Sequence, residues 1–493
     1  MKFKLTIILI LLLFYTAIAQ KGNPNDYLSA QFHKERREAL RKKMPKNSVA
    51  VFFGNPIRNR ANDVDFTYHQ DPNFYYLTGY KETNCVLVIF SDIQTNKIGE
   101  SYNEILYVQE KNPKAEQWTG IRLGVDGAKK SLGFDNSFNG KEFLASGINF
   151  YNFSNVFFID FKDDYRDSHN EDADLYKLTN SFKSQIGYTV KTEINNDSNL
   201  KHETTVKSLT IKKAKIDTNT LETYMASLRE IKSNEEMVLL TKAIRISAIG
   251  QREIMKTMHS GMSETEIQGV HEFIYKKYGS EYEGYPSIVG AGNNGCVLHY
   301  IENSKMKVEN ELVLMDLGAE YHGYTADVTR TIPANGTFSP EQKLIYDLVY
   351  DAQEAGISKV KIGNSFAAPD QTARRIISEG LMKLGITKTL EESRKYFPHG
   401  TSHHIGLDVH DPGLYNTFEK NMVLTVEPGI YIPEGSNCDK KWWGIAVRIE
   451  DDILVTSSEP INLSAEAPRK SSEIEALMAE KSVLDTFSLP ELD

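Results

Sequence analysis

Residues 311–331 read ELVLMDLGAEYHGYTADVTRT, and the placement of two aspartates in this stretch decides what the chain builds. Two apolar, alternating runs, Leu312 to Leu317 and Tyr324 to Thr331, flank a short polar turn at Tyr321, His322 and Gly323, the pattern of a β-hairpin. With the turn centred between Tyr321 and His322, Asp316 and Asp327 lie directly opposite each other on one face. Side chains opposed in this way have Cβ atoms about 4.5 to 5.5 Å apart. Two carboxylates that close repel each other unless they share a proton or bind a cation. Taken alone, the hairpin is also compatible with two solvated aspartates on an exposed face, which is the commoner arrangement.

Downstream stretches add to the pair. Residues 398–413, PHGTSHHIGLDVHDPG, hold His399, His403, His404 and His410, too many imidazoles in one segment to be four ordinary core residues. Residues 422–432, MVLTVEPGIYI, set Glu427 at a strand end before a Pro-Gly turn. In residues 445–455, IAVRIEDDILV, Arg448 and Glu450 are expected on one face of a strand and Ile449 on the other. A carboxylate in so apolar a run needs a partner, and an Arg448–Glu450 ion pair is one solution. The other is metal. Asp316, Asp327, His403, Glu427 and Glu450 make four carboxylates and one imidazole, a hard set suited to Mn²⁺, Co²⁺ or Fe²⁺ and able to accept Zn²⁺. Four negative ligands are about what two divalent cations neutralise, and two ions roughly 3.5 to 4 Å apart fit opposed aspartates.

Other templates do worse. There is no H-E-x-x-H and no G-x-S-x-G, and Ser402 lacks a nucleophile-elbow context. Gly290-Ala291-Gly292-Asn293-Asn294-Gly295 matches G-x-G-x-x-G literally, yet Cys296 to Tyr300 reads as a strand where the phosphate-binding helix should begin. It is expected to be a glycine-rich turn that aims His299.

At 493 residues the chain is too long for one ordinary core. Lys2 and Lys4 precede an apolar run from Leu5 to Ala19 that ends in Ala17-Ile18-Ala19. The run is shorter than the roughly 20 residues that span a bilayer and ends in a signal-peptidase pattern. Residues 1–19 are therefore expected to be a signal peptide, with Gln20 the mature terminus, no lipid-anchor cysteine, no stable membrane anchor, and a periplasmic or secreted destination. Cleavage removes two of the 57 basic residues and none of the 67 acidic ones, taking the formal charge from −10 to −12. Such acidity argues against nucleic acid, and the cluster Lys207, Lys212, Lys213 and Lys215 reads as a solvated loop. Three cysteines exclude a disulfide framework.

An N-terminal α/β domain is expected over 20–220, from the runs Ser48 to Phe53, Cys85 to Phe90, Glu104 to Gln109 and Asn155 to Phe161, with a linker-like segment at 190–218. Asp63, Asp65, His69 and Asp71 read there as a polar loop. The second domain, 221–470, opens with capping boxes at Ser233/Glu236 and Ser263/Glu266, followed by Ser339-Pro340-Glu341-Gln342. Its helices and hairpins make an α+β fold with a curved antiparallel sheet, and 471–493 reads as a tail.

The motifs LVLMDLG, YTADVTRT, FPHGTSHHIGLDVHD, LTVEPGIYI and VRIEDD, in this order, resemble the pita-bread metallopeptidases related to methionine aminopeptidase and prolidase, and within them the aminopeptidase P family. DPNFYYLTGY and CVLVIF resemble that family's N-terminal domain, and SLREIKSNEEMVLLTKAI its interdomain helix. The resemblance implies two divalent ions, Mn²⁺ foremost. Asp316 and Asp327 bind one, His403 and Glu427 the other, and Asp327 and Glu450 bridge. It further implies a bridging hydroxide that attacks the peptide carbonyl, Glu427 as proton shuttle, His299, His399 and His410 around the substrate, and Arg448 beside the bridging glutamate. His404 has no such counterpart.

The implied activity is Xaa-Pro aminopeptidase, a metallo-exopeptidase that releases the first residue from peptides with proline second. Family members are often dimers or tetramers. The alternatives are a prolidase cleaving Xaa-Pro dipeptides and a metal-free pita-bread hydrolase or binding protein. The 23 positions between Glu427 and Glu450 favour the aminopeptidase over prolidase, and the full set of five ligands argues against the metal-free class.

Overall fold

The computed structural model describes residues 26–96, 98–161, 171–188, 214–484 and 486. The expected leader 1–19, most of the linker-like segment, and Lys207, Lys212 and Lys213 lie outside them.

The four β-rich runs of the N-terminal half become the centre of one mixed six-stranded sheet. Its order is Ser137–Asn139, Ser101–Val108, Val86–Thr95, Ser48–Phe53, Asn155–Phe157 and Ile216–Asp217. Ser48–Phe53 runs antiparallel to Val86–Thr95 and parallel to Asn155–Phe157. Alternate residues of these strands feed two cores. Val49, Val51, Val86 and Val88 face Phe143, Phe158 and Phe182, while Ala50, Phe52, Leu87 and Ile89 face the helices and the C-terminal half. Alternation in a strand buried on both faces explains the near-continuous apolar character of these runs.

Helix Asn234–Thr257 starts at Ser233, whose side chain accepts from the Glu236 N–H while Glu236 returns a bond to the Ser233 N–H. The same reciprocal box starts Pro340–Ile357 at Ser339 and Gln342. At Glu264–Lys277 only the Ser263 half forms, because Glu266 makes no return bond. Segment 471–493 is not simply a tail: Ser471–Met478 is a helix whose Ile474 and Leu477 share a core with Val313, Ile430 and Val447.

Two long antiparallel pairs dominate the second half, and each is broken in the middle. In the first, Leu312–Asp316 pairs with Thr329–Pro333, then Ala319–Tyr321 with Tyr324–Thr325. In the second, Val423–Val426 pairs with Asp451–Leu454, then Gly429–Ile432 with Ile445–Arg448. The first strand of the second pair ends just before Glu427-Pro428, beside the expected strand end at Glu427, whereas the expected single strand 445–455 is two strands, Ile445–Arg448 and Asp451–Leu454. Ladder breaks redirect side chains, and every carboxylate among the five expected ligands lies at or beside one.

Candidate metal centre

In the first pair Asp316 lies opposite Thr329, and Tyr321 opposite Tyr324. The turn is thus centred between His322 and Gly323, both at positive φ (52° and 89°), as a two-residue primed turn requires. The expected direct opposition of Asp316 and Asp327 does not occur. Moving the turn centre by one residue shifts the pairing by two, and a shift of two keeps both aspartates on the same face as diagonal neighbours. The Leu317 N–H still reaches the Val328 carbonyl at 3.3 Å and the Ala326 N–H the Ala319 carbonyl at 3.0 Å, which carries the register across the break. Gly318 sits inside it, where a Cβ would stand 2.1 Å from the Ala326 carbonyl oxygen and 2.6 Å from the Tyr285 ring. Only glycine lets Tyr285 cross there. Its hydroxyl lies 2.5 Å from Asp316 Oδ1 and 2.6 Å from Asp327 Oδ1.

The second pair brings the glutamates together. Val426 pairs with Asp451 and Gly429 with Arg448, so Glu427-Pro428 spans the same gap as Ile449-Glu450 and Glu427 stands across from Glu450. The pairs are joined where the Glu450 N–H donates to the Thr329 carbonyl at 3.1 Å. The Thr331 hydroxyl also donates to the Arg448 carbonyl at 3.0 Å.

His403 completes the set from a loop clamped to the second pair, since its carbonyl accepts from the Thr425 N–H at 2.9 Å. Its Nδ1 is 3.0 Å from the His404 carbonyl, which leaves Nε2 to face the carboxylates. That atom is 3.4 Å from Asp327 Oδ2 and 3.6 Å from Glu427 Oε1. One ligand atom each from Asp327, His403 and Glu450 lie within 4.8 Å of one another.

The electrostatics fit divalent cations. Asp327 and Glu450 are buried, and burial first, then the charges of neighbouring carboxylates, pushes both well above the usual carboxylate range. The Tyr285 hydroxyl has one proton but two carboxylate oxygens within hydrogen-bond reach, so one contact needs a second proton or a cation. The donors are carboxylate oxygens and one imidazole nitrogen with no thiolate, a set that suits Mn²⁺ and its neighbours.

The remaining expected residues surround this cluster. Arg448 does not pair with Glu450. Its Nη2 donates to Asp316 Oδ2 at 2.6 Å, its Nη1 to the Tyr431 hydroxyl at 3.0 Å and its Nε to the Thr329 hydroxyl at 3.1 Å. His399 Nδ1 is 3.4 Å from Glu427 Oε2, and its Nε2 is 2.7 Å from the Tyr431 hydroxyl. His410 packs edge-on against His403, ring centroids 4.3 Å apart. Burial and then the charge of His403 hold His410 below its ordinary value, with a smaller contribution from His299. His299 is exposed on a turn after a short 3₁₀ segment, Gly292–Cys296, not on the expected strand. His404 is buried between Phe366 and Tyr415, away from the ligands.

Tyr285, Thr329, Tyr431 and Asp452 were not singled out by the sequence. Asp452 Oδ2 accepts the Asp327 N–H at 3.1 Å. Thr329 and Tyr431 had a signal available, since each lies two or four residues from a ligand on the same strand path. Tyr285 had none. His69, read as part of a polar loop, instead reaches across the halves to Glu320, Nε2 to Oε2 2.9 Å.

Known proteins carry the same arrangement of parts. Residues 238–457 match metallopeptidase family M24, and residues 33–148 match the aminopeptidase P N-terminal domain. The chain is 34% identical over 468 residues to the Xaa-Pro aminopeptidase of Escherichia coli (strain K12), covering 92% of this chain and 98% of that one. It is 31% identical over 448 residues to the human Xaa-Pro aminopeptidase 3, covering 88% and 82%. Among solved structures, aminopeptidase P from E. coli with the inhibitor Pro-Leu superposes with a TM-score of 0.77 at 33% identity, covering 92% and 98%. Pseudomonas aeruginosa aminopeptidase PepP gives 0.78 at 30%, with the same coverage.

Proposed function

This chain belongs to metallopeptidase family M24, in its aminopeptidase P branch with the pita-bread fold, and from that premise we propose that it releases the N-terminal residue from peptides whose second residue is proline. The observation that carries this reading is the convergence of Asp316, Asp327, His403, Glu427 and Glu450 from two broken hairpins and one loop. The short path from Glu427 to Glu450 and the Xaa-Pro aminopeptidase relatives favour it over prolidase.

The cofactor is a pair of divalent ions, and we take Mn²⁺ as the native metal because the donors are hard. Asp316 and Asp327 would hold one ion, His403 and Glu427 the other, with Asp327 and Glu450 shared. Bound there, the ions supply a water acidic enough to attack near neutral pH and polarise the scissile carbonyl. Glu427 faces His403 with one oxygen and His399 with the other, so it can accept a proton at attack and return it to the leaving proline nitrogen. The Arg448 guanidinium offsets the charge of Asp316. Tyr431 links Arg448 to His399, and His399 beside Glu427, His410 against His403 and the exposed His299 near His410 would contact the bound peptide.

Incubating the Mn²⁺-loaded protein with Xaa-Pro-Yaa and with Xaa-Pro tests the activity. The tripeptide should be cleaved at the Xaa-Pro bond, and cleavage of the dipeptide alone sinks the assignment.

Export and oligomerisation belong to the same proposal. The charged, apolar and small-residue segments of 1–19 support export with removal of the leader, and among the described residues no helix is long and apolar enough to cross a membrane. Protein recovered from cell envelope or medium should begin at Gln20, and an intact Met1 terminus counts against export. A dimer or tetramer is expected by sedimentation, and a monomer at micromolar concentration rejects it.

A further inference from the structure

We propose that Thr329 is a positioning residue of the metal centre, whose hydroxyl locks the bridging carboxylate of Glu450 to the Asp316–Arg448 pair. The inference rests on the two-ion reading above. Thr329 is fully buried and lies opposite Asp316 in the strand ladder. Arg448 Nε can only donate, so at 3.1 Å it uses a lone pair of Thr329 Oγ1. The single hydroxyl proton is then free for Glu450 Oε2, 2.6 Å away. Arg448 Nη2 meanwhile donates to Asp316 Oδ2 at 2.6 Å. The result is one chain, carboxylate to guanidinium to hydroxyl to carboxylate, that joins ligands of the two hairpins.

Chemistry explains why a threonine serves here. A glutamate has three side-chain torsions and needs an external partner to hold one carboxylate orientation, whereas a β-branched residue is stiff at χ1 and presents its hydroxyl in a fixed direction. The backbone around Thr329 has its own supports. Arg330 Nη1 donates to the carbonyls of Thr329 and Glu450 at 2.8 and 2.6 Å, and the Glu450 N–H donates to the Thr329 carbonyl. Losing Oγ1 alone therefore leaves the join between the hairpins intact. It frees Glu450 Oε2 to turn and deprives Arg448 Nε of its acceptor. Partners that orient metal ligands typically contribute about 10- to 100-fold in metal affinity.

The test compares wild type, Thr329→Val, which keeps the shape, and Thr329→Ser, which keeps the hydroxyl. Mn²⁺ is titrated into each metal-free protein by calorimetry, electron paramagnetic resonance reads whether bound ions are spin-coupled, and the metal-free Tm reports the fold. Expected for Val is a weakening of the looser ion by about 10- to 100-fold, isolated in place of coupled Mn²⁺ signals, and a near wild-type Tm. Ser should recover most of the affinity and the coupled signal. Two ions bound and coupled in Val as in wild type overturn the inference, and so does a Ser variant no better than Val. If Val lowers the metal-free Tm by more than about 5 °C, Thr329→Ala replaces it against Ser, and equal Mn²⁺ affinity in that pair overturns the inference. A wild type that binds fewer than two ions refutes the two-ion reading, and the inference falls with it.

Discussion

Asp316 is paired across the strands with Thr329, and Asp327, two residues nearer the turn, reaches Asp316 only diagonally, through the hydroxyl of Tyr285. The offset sets the two backbone positions further apart than direct opposition would, at a diagonal spacing of about 7 to 8 Å, while the shared Tyr285 hydroxyl, 2.5 and 2.6 Å from an oxygen of each, keeps the carboxylates facing one another. It also places an ordinary hydrogen-bonding side chain where the second aspartate was expected. The carboxylates are then held by donors on several elements, and their charge remains to be balanced.

Replacing Asp327 by Asn separates metal binding from folding. Burial and neighbouring charges raise Asp327, so the native state holds this proton more tightly than the unfolded chain does. An acid raised in this way costs stability as pH climbs from its unfolded value, about 3.9, through its folded value, and costs nothing below both. The metal-free Asp327→Asn protein should thus match wild type near pH 4 and gain on it as pH rises, by calorimetric Tm in chelator. Its turnover with Mn²⁺ should fall by more than the roughly 100-fold expected for an indirect partner. A Tm well below wild type at pH 7.5 contradicts the electrostatic account.

Tyr285→Phe should hurt the metal-free protein more than the loaded one. Its hydroxyl serves two carboxylates, and hydrogen bonds to charged groups are worth about 1.5 to 3 kcal/mol. Bound ions would take over that neutralising role. Urea unfolding with chelator and with Mn²⁺ measures both losses, and equal losses argue against a cation between Asp316 and Asp327.

Asp411 holds the histidine-rich loop to the junction between helices Thr220–Arg229 and Asn234–Thr257, which divide the expected interdomain helix in two. It is buried with Arg229 and Lys232, pairing with Arg229 Nη2 and, at 3.1 Å, with Lys232 Nζ. Burial alone would raise Asp411, but the two cations outweigh it and hold the carboxyl below the usual range. Asp411→Asn leaves both cations uncompensated and should cost about 3 to 5 kcal/mol. A depressed acid stabilises above its unfolded value, near 3.9, and loses that contribution as pH falls through its folded value. The Tm gap between wild type and variant should therefore be constant from pH 8 to 5 and close in acid, and a gap that widens in acid refutes the ion triad as its source.

Thiol chemistry should be slow. Cys85, Cys296 and Cys438 are all unpaired. Burial pushes Cys85 well above the ordinary thiol value, Cys296 up to about 12, and Cys438 upward as well. Iodoacetamide at pH 8 should label all three rapidly only after denaturation, and added reductant should leave the Tm unchanged. Rapid labelling of Cys85 in the native protein contradicts its placement.

The sequence by itself determined the parts. Alternation of apolar residues gave the hairpins and the N-terminal strands, serines three residues before Glu or Gln marked helix starts, and five hard ligands in order named the chemistry. All of these are local, carried by periodicity or by the identity of a donor. Tertiary structure decided how the parts meet. Tyr321-His322-Gly323 permits two turn centres, and only the fold, with His322 and Gly323 both at positive φ, selects the one that pairs Asp316 with Thr329. Arg448 sits two residues from Glu450 in the chain yet bonds Asp316, 132 residues away in sequence, because the ladder breaks between Arg448 and Asp451. Tyr285 reaches both aspartates only because Gly318 lacks a Cβ at the crossing. Periodicity reports which face a residue occupies, whereas register, ladder breaks and close crossings depend on contacts between distant segments, and these set which ligands the metal centre brings together.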